Sequence, residues 1–167
     1  MSIVSPFSNH LADTAHAGRG GSLYVRFNNG QVVDLLATAD WSAVPGGQPA
    51  ADAMAVRNPT VNWTATKAIF SAAFGKPAGP TDTTQFLFQL YEITLPSQAQ
   101  LAANVKPVIT KVTNQPLYNN VFPTYAQGGK IVFASDRPYN GQAHLTQREE
   151  YLSLPTVSGL WSLAPSD

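Results

Sequence analysis

Two similar stretches decide the fold of this chain of 167 residues. The first reads Pro59-Thr-Val-Asn-Trp-Thr-Ala-Thr-Lys-Ala-Ile-Phe-Ser71, and the second, 64 residues later, reads Pro123-Thr-Tyr-Ala-Gln-Gly-Gly-Lys-Ile-Val-Phe-Ala-Ser135. Each has a proline, an aromatic residue, a polar turn, a lysine, an apolar strand and a serine, in that order. Strand, turn and strand in both copies predict a repeated β-hairpin.

The repeat extends to a third strand, because an apolar and aromatic segment follows each copy, at residues 90–93 and 160–163. A period above the usual 40 to 50 residues is typical of propeller blades that carry long loops. We therefore predict an all-β fold, a partial β-propeller of about two four-stranded antiparallel blades. A small β-sandwich with similar strands is the alternative.

The predicted blades divide the chain. Residues 1–20 form a loosely ordered lead-in and residues 21–167 the partial propeller, with part of a blade at 22–36, a full blade at 59–113 and part of a blade at 121–163. Residues 37–57, with several Pro and Gly, read as a long loop. Residues 96–105 read either as a short helical turn or as a connecting loop. Since a ring needs about four to eight blades, remaining blades or further copies of the chain are expected partners.

Composition narrows the function. Ten Lys+Arg balance ten Asp+Glu, so the chain has no net positive charge that would favour the binding of nucleic acid. The absence of cysteine excludes disulfides, thiolate metal sites and covalent haem. No stretch approaches the length of a membrane span, and residues 1–10 lack the pattern of a secretory signal. No cofactor is predicted, and the sequence lacks a nucleophile elbow, a P-loop and a Rossmann fingerprint, which disfavours catalysis by this chain alone.

Polar residues near the second copy form the candidate interaction cluster, which comprises Asp136, Arg137, His144, Arg148, Glu149 and Glu150. The first two follow a strand, and the other four lie in a long insertion, where binding residues often occur. The structural interpretation is that Asp136 satisfies backbone donors at a turn and that Arg137 pairs locally, while the remaining charges are solvated. The spacing of His10, Asp13 and His16 does not make the three side chains converge as metal ligands on a helix.

The aromatic residues of the predicted strands could form a stacking face, but packing between blades explains them better. They are Trp41, Trp63, Tyr91, Tyr125, Phe133 and Trp161. The sequon at residues 62–64 is interpreted as a chance match because it falls on a predicted strand.

Residues 123–137 resemble the WD-repeat-like blade signature of TolB-type propellers, with its Pro, aromatic, Gly-Lys turn, Ile-x-Phe strand and Ser-Asp. The wider stretches at residues 55–71, 89–93, 114–123, 144–151 and 155–161 resemble the amino-terminal propeller of hydrazine synthase alpha-subunit-like proteins. The resemblance covers roughly residues 20–163. It implies an exported protein in which c-type haems follow the propeller.

This chain departs from that family because it has no Cys-x-x-Cys-His motif. The resemblance therefore implies a non-catalytic scaffold or protein-interaction module, a fragment of a longer protein. The alternative is a structural wall of a c-type haem redox enzyme whose haem-bearing part lies outside this chain. A third hypothesis is that about three copies complete one ring.

Overall fold

The computed structural model of the chain describes residues 18–76, 78–79, 84, 86–115, 117–137 and 159–164. These residues form mostly antiparallel β-structure, which confirms the all-β prediction. The strands are β1 Tyr24–Arg26, β2 Val32–Asp34, β3 Met54–Val61, β4 Lys67–Phe74, β5 Gln89–Thr94, β6 Ile109–Lys111, β7 Asn120–Tyr125, β8 Ile131–Ser135 and β9 Gly159–Leu163. The helices are α1 Leu35–Thr38 and α2 Gln98–Ala102, with 3-10 turns at Ala51–Ala53 and Gln127–Gly129.

The strands form three sheets, each a meander in chain order. The first sheet is β1-β2, the second is β3-β4-β5-β6, and the third is β7-β8-β9. Every pairing between neighbouring strands in these sheets is antiparallel. The second sheet is central, because the first sheet and α1 share a core with one of its faces and the third sheet shares a core with the other.

Strand β4 explains why the second sheet is covered on both faces. Its residues alternate between the two faces, and six of the eight are buried. Phe70 joins the core shared with the first sheet, whereas Ile69 joins the core shared with the third. A strand with apolar residues on both faces is stable only between two layers, so β4 itself specifies a stack of three sheets.

The sequence repeat is matched by a shared backbone irregularity. In β3 and β7 the pairing register shifts by one residue, between Arg57 and Thr60 and between Val121 and Thr124. In each strand the residue before the proline, Asn58 or Phe122, has φ of 52°. The two hairpins thus repeat a bulge as well as a residue pattern.

The strand registers align the repeat more precisely than the residue pattern does. Phe70 pairs with Tyr91, and Phe133 pairs with Trp161. With these two pairs superposed, Ser71 corresponds to Ala134, so the serine that ends each quoted stretch does not occupy an equivalent place.

Several sequence-based boundaries are wrong. The part of a blade predicted at 22–36 was expected to end in a strand, but β2 ends at Asp34, because the Asp34 carboxylate accepts hydrogen bonds from the amides of Leu36 and Ala37 at 3.0 Å and caps α1. The predicted loop at 37–57 contains the end of α1, a 3-10 turn and the first residues of β3. Of the two readings of residues 96–105, the structure has the helical turn, where Ser97 and Gln100 form a capping box.

Candidate functional site

The turn between β3 and β4 is held by the side chain of Asn62. Its Oδ1 accepts hydrogen bonds from the amides of Thr66 and Lys67 at 2.9 and 3.0 Å, and its Nδ2 donates to the hydroxyls of Thr64 and Thr66. Such a closed set of local bonds fixes the turn without help from the core. The sequon therefore lies on a turn, and its predicted position on a strand is wrong.

This turn exposes Trp63. The side chain is 89% exposed, whereas Trp41 is only 5% exposed. Packing between blades was predicted for both, and for Trp63 that prediction is wrong because Val61 is the last residue of β3 and Trp63 follows it in the turn. Tyr91 and Phe133, from the same predicted set, are buried as expected.

Beside the turn, three polar side chains form a chain of hydrogen bonds across the two sheets. Lys67 Nζ lies 2.7 Å from Glu92 Oε1, and Tyr125 Oη donates to Glu92 Oε2 at 2.9 Å. The side chain of Glu92 is 20% exposed and that of Lys67 is 49% exposed. The three residues come from β4, β5 and β7, so the chain forms only when the second and third sheets pack together.

The environment of Tyr125 keeps its phenol protonated. Burial raises the pKa of Tyr125, and the charge of Glu92 and the hydrogen bond to it raise this pKa further. Tyr125 is therefore a fixed hydrogen-bond donor at neutral pH.

These groups border an open cavity of about 620 Å³ between the turn at 62–66 and the turn at 126–130. We name it the turn cleft. Its lining includes Asn62, Trp63, Lys67, Glu92, Tyr125 and Gly128. Both oxygens of Glu92 are engaged and the phenol retains its proton, so the arrangement suits binding better than proton transfer.

Two residues of the predicted interaction cluster are described. Asp136 accepts hydrogen bonds from the backbone amide of Asn119 at 2.7 Å and from its Nδ2 at 2.8 Å. The Oδ1 of Asn119 in turn accepts from the amide of Phe88 at 2.9 Å. Asp136 thereby ties the end of β8 to the segments that precede β7 and β5.

The guanidinium of Arg137 lies 4.0 Å from the ring centroid of Trp161, a cation–π contact. Neither Asp136 nor Arg137 lines the turn cleft. The other four residues of the cluster, His144, Arg148, Glu149 and Glu150, lie outside the described residues. The cluster as a whole stays a prediction.

Metal ligands do not assemble in the part of the chain that the structure describes, where there is no group of three or more His, Cys, Asp or Glu side chains that could hold an ion. His10, Asp13 and His16 fall outside that part. Within it, no helix is long and apolar enough to span a membrane.

Most residues that line the turn cleft stand in the two repeated stretches, but the sequence pattern did not indicate a cleft between them. Trp63 and Tyr125 were grouped with the core aromatics, and Lys67 was treated only as a mark of the repeat. The available signal was Glu92, the single charged residue in the apolar stretch 85–95. A carboxylate in such a strand requires a partner, and Lys67 and Tyr125 supply it.

Comparisons with protein-family models, with curated proteins and with solved structures find no match for this chain.

Proposed function

We propose that this chain is a non-catalytic segment of a β-propeller that acts as a scaffold and binds a further sheet of the same repeat. The observation that carries the proposal is a pair of equivalent faces, one covered and one exposed. Leu90 on the second sheet is fully buried by the third sheet, whereas its equivalent on the third sheet, Leu160, is 80% exposed.

The equivalence follows from the strand registers. On the second sheet, Thr60, Ile69 and Glu92 form one cross-strand row, and Leu90 lies on the same face. On the third sheet the corresponding row is Thr124, Val132 and Ser162, with Leu160 beside it. We name these four residues of the third sheet the docking face.

Both sheets also present the same kind of surface to the sheet before them. The second sheet turns Phe70 and Tyr91 toward the first sheet, and the third sheet turns Phe133 and Trp161 toward the second. Successive sheets thus stack in the same sense, as the blades of a propeller do. A fourth sheet placed by the same operation would cover the docking face.

One hydrogen bond specifies what the fourth sheet would offer. Thr60 Oγ1 donates to the carbonyl of Pro123 on the next sheet at 2.8 Å. Its equivalent, Thr124, is exposed. A partner sheet that repeats the pattern would bring its own proline carbonyl to the Thr124 hydroxyl. The docking face thus offers a specific hydrogen-bond donor beside its apolar residues.

The resemblance to the propeller of hydrazine synthase alpha-subunit-like proteins belongs to the same proposal, in which the partner sheet is the next blade of a longer protein. The four-stranded meander of the second sheet supports it, because a blade has this strand order. The assignment to that family depends on the sequence resemblance alone.

The test is self-association of the purified chain. An uncovered docking face is expected to promote association or aggregation with rising concentration, measured by light scattering coupled to gel filtration. Burial of a leucine contributes about 1.5–3 kcal/mol, so Leu160→Lys is expected to weaken association more than tenfold. Thr124→Val is expected to weaken it less, since one hydrogen bond contributes about 1 kcal/mol.

The matched control is Leu117→Lys, because Leu117 is 72% exposed and is not part of the docking face. This variant is expected to associate as the unmodified chain does. A monodisperse monomer at every concentration would contradict the proposal, as would equal effects of lysine at positions 117 and 160.

A further inference from the structure

We propose that the turn cleft is a binding site for a neutral saccharide chain, which stacks on Trp63 and hydrogen-bonds to the polar side chains beside it. The cleft lies at the junction of the second and third sheets, both of which are described, and it does not involve the docking face. Binding in the turn cleft would therefore not depend on whether a further sheet covers the docking face.

Trp63 provides the platform. An indole that is 89% exposed leaves a large apolar surface in water, at a position where the turn itself needs only the side chain of Asn62. The C–H groups on one side of a pyranose ring match such a flat aromatic surface, and contact between the two removes both from water. An exposed tryptophan beside a polar cleft is therefore suited to a sugar ring.

The polar side chains supply fixed hydrogen-bonding groups. Glu92 is held by Lys67 on one oxygen and by Tyr125 on the other, so the carboxylate needs little reorganisation when a ligand arrives. An ammonium has three N–H donors and a carboxylate oxygen accepts more than one hydrogen bond, which leaves capacity for sugar hydroxyls. Hydroxyl groups are both donors and acceptors, and they match this mixed set.

Charge balance favours a neutral ligand. Among the described residues that line the turn cleft, Lys67 is the only cation and Glu92 the only anion, and the two are paired. An anionic ligand would have to compete with Glu92 for Lys67, and a cationic one would compete with Lys67 for Glu92. A polyhydroxylated neutral molecule meets neither penalty.

Size and access are also suitable. The volume of about 620 Å³ lies within the range of about 300–1,000 Å³ that is usual for small-molecule sites. The opposite wall contains Gly128 and Gly129, both with φ of 73°. Because neither carries a side chain, that wall does not cover the indole.

The site is not a general product of the repeat. The turn of the third sheet that corresponds to residues 62–66 reads Ala126-Gln-Gly-Gly-Lys130 and carries no aromatic residue. Turn formation and sheet packing thus do not require a tryptophan here. Of the two repeated hairpins, only the first carries an indole in its turn.

The experiment uses cellohexaose, maltohexaose and mannohexaose as separate probes against the purified chain. Binding is read from acrylamide quenching of tryptophan fluorescence, in which an exposed indole dominates, and from isothermal titration calorimetry. At least one hexasaccharide is expected to protect Trp63 from quenching in a saturable way. Trp63→Ala is expected to weaken binding by about 30-fold or more, the loss typical of a central aromatic contact.

Two variants separate stacking from a general loss of structure. Tyr24→Ala removes another exposed aromatic side chain, 61% exposed and outside the turn cleft, and is expected to bind normally. Glu92→Gln is expected to weaken binding and to leave Trp63 as exposed as before. The proposal is overturned if none of the three probes binds at concentrations up to about 10 mM, tenfold above a Kd of about 1 mM, or if Trp63→Ala binds as tightly as the unmodified chain.

Discussion

The second and third sheets are built on one pattern but stand in different surroundings. Ile69 and Leu90 are fully buried against the third sheet, whereas Leu160, the equivalent of Leu90, is 80% exposed. The residue type is conserved between the two positions and only the neighbouring layer differs. Leucine at this position is therefore a feature of the stacking repeat, and whether it is buried depends on whether a following sheet is present.

The largest expected effect comes from placing the same charge at both leucines. Leu90→Lys would bury an ammonium without a partner in an apolar core, and it is expected to lower the free energy of unfolding by at least about 4 kcal/mol. Leu160→Lys is expected to change it by no more than about 0.5 kcal/mol, as is usual at exposed positions. Chemical denaturation followed by circular dichroism measures both.

Leu90→Met is the matched control at the buried site, since it conserves volume and is expected to cost less than about 1.5 kcal/mol. Equal destabilisation by lysine at positions 90 and 160 would break the comparison, because it would mean that Leu160 is covered in solution as Leu90 is.

A second difference between the sheets is the residue that precedes each leucine. Gln89 is 6% exposed and its Oε1 accepts hydrogen bonds from the Thr113 hydroxyl, the Gln115 amide and Asn120 Nδ2. Its Nε2 donates to the carbonyls of Gln115 and Tyr118. The third sheet has Gly159 at the equivalent position. Gln89 thus anchors the connection from β6 to β7.

Gln89→Leu is expected to lower the free energy of unfolding by about 2–4 kcal/mol, because buried donors and acceptors would lose their partner. Gln98→Leu is the control, since the side chain of Gln98 makes an exposed hydrogen bond to Gln31 and its loss is expected to be nearly neutral. Both values come from urea denaturation. A loss below about 0.5 kcal/mol for Gln89→Leu would show that the connection is held by other contacts.

The sequence predicted the strands and missed much of what joins them. Regular alternation and a repeated turn identify a hairpin locally, so the two bulged hairpins at 54–74 and 120–135 could be anticipated in outline. The end of β2 could not, because it depends on whether Asp34 caps a helix or continues a strand. The hydrogen bonds of Gln89 reach residues about 25 positions away, and no local pattern encodes such contacts.

The candidate site was less predictable than the fold. In the residue pattern of the repeat Trp63 matches Tyr125, but the strand registers make Val61 the equivalent of Tyr125, which lies on a strand and is half-buried. Strand β3 ends at Val61, two residues before Trp63, and this places Trp63 in the turn and not on the predicted strand. A boundary error of this size is unimportant for the fold but decides whether an indole is packed or exposed.

The smallest expected effect is a loss of stability at alkaline pH, to which one tyrosine of the second sheet and one of the third contribute. Burial raises the pKa of Tyr91 from 10.0 to about 12, and burial together with Glu92 raises the pKa of Tyr125. Above about pH 10 the unfolded chain releases these phenolic protons while the folded chain retains them. Proton release therefore favours unfolding. The contribution of the two phenols to stability is expected to be fully present below about pH 10 and to be lost as the pH rises through their folded-state pKa values.

Tyr91→Phe and Tyr125→Phe are each expected to flatten this decline, and the double variant to flatten it most, because phenylalanine has no proton to lose. The measurement is the free energy of unfolding in urea at intervals between pH 9 and pH 12, with each variant compared with its own value at pH 9. If the double variant declined as steeply as the unmodified chain, other groups would control alkaline unfolding. A decline flattened by Tyr91→Phe alone would mean that the Tyr125–Glu92 contact between the second and third sheets opens in solution, which would also weaken the turn cleft as a preformed site.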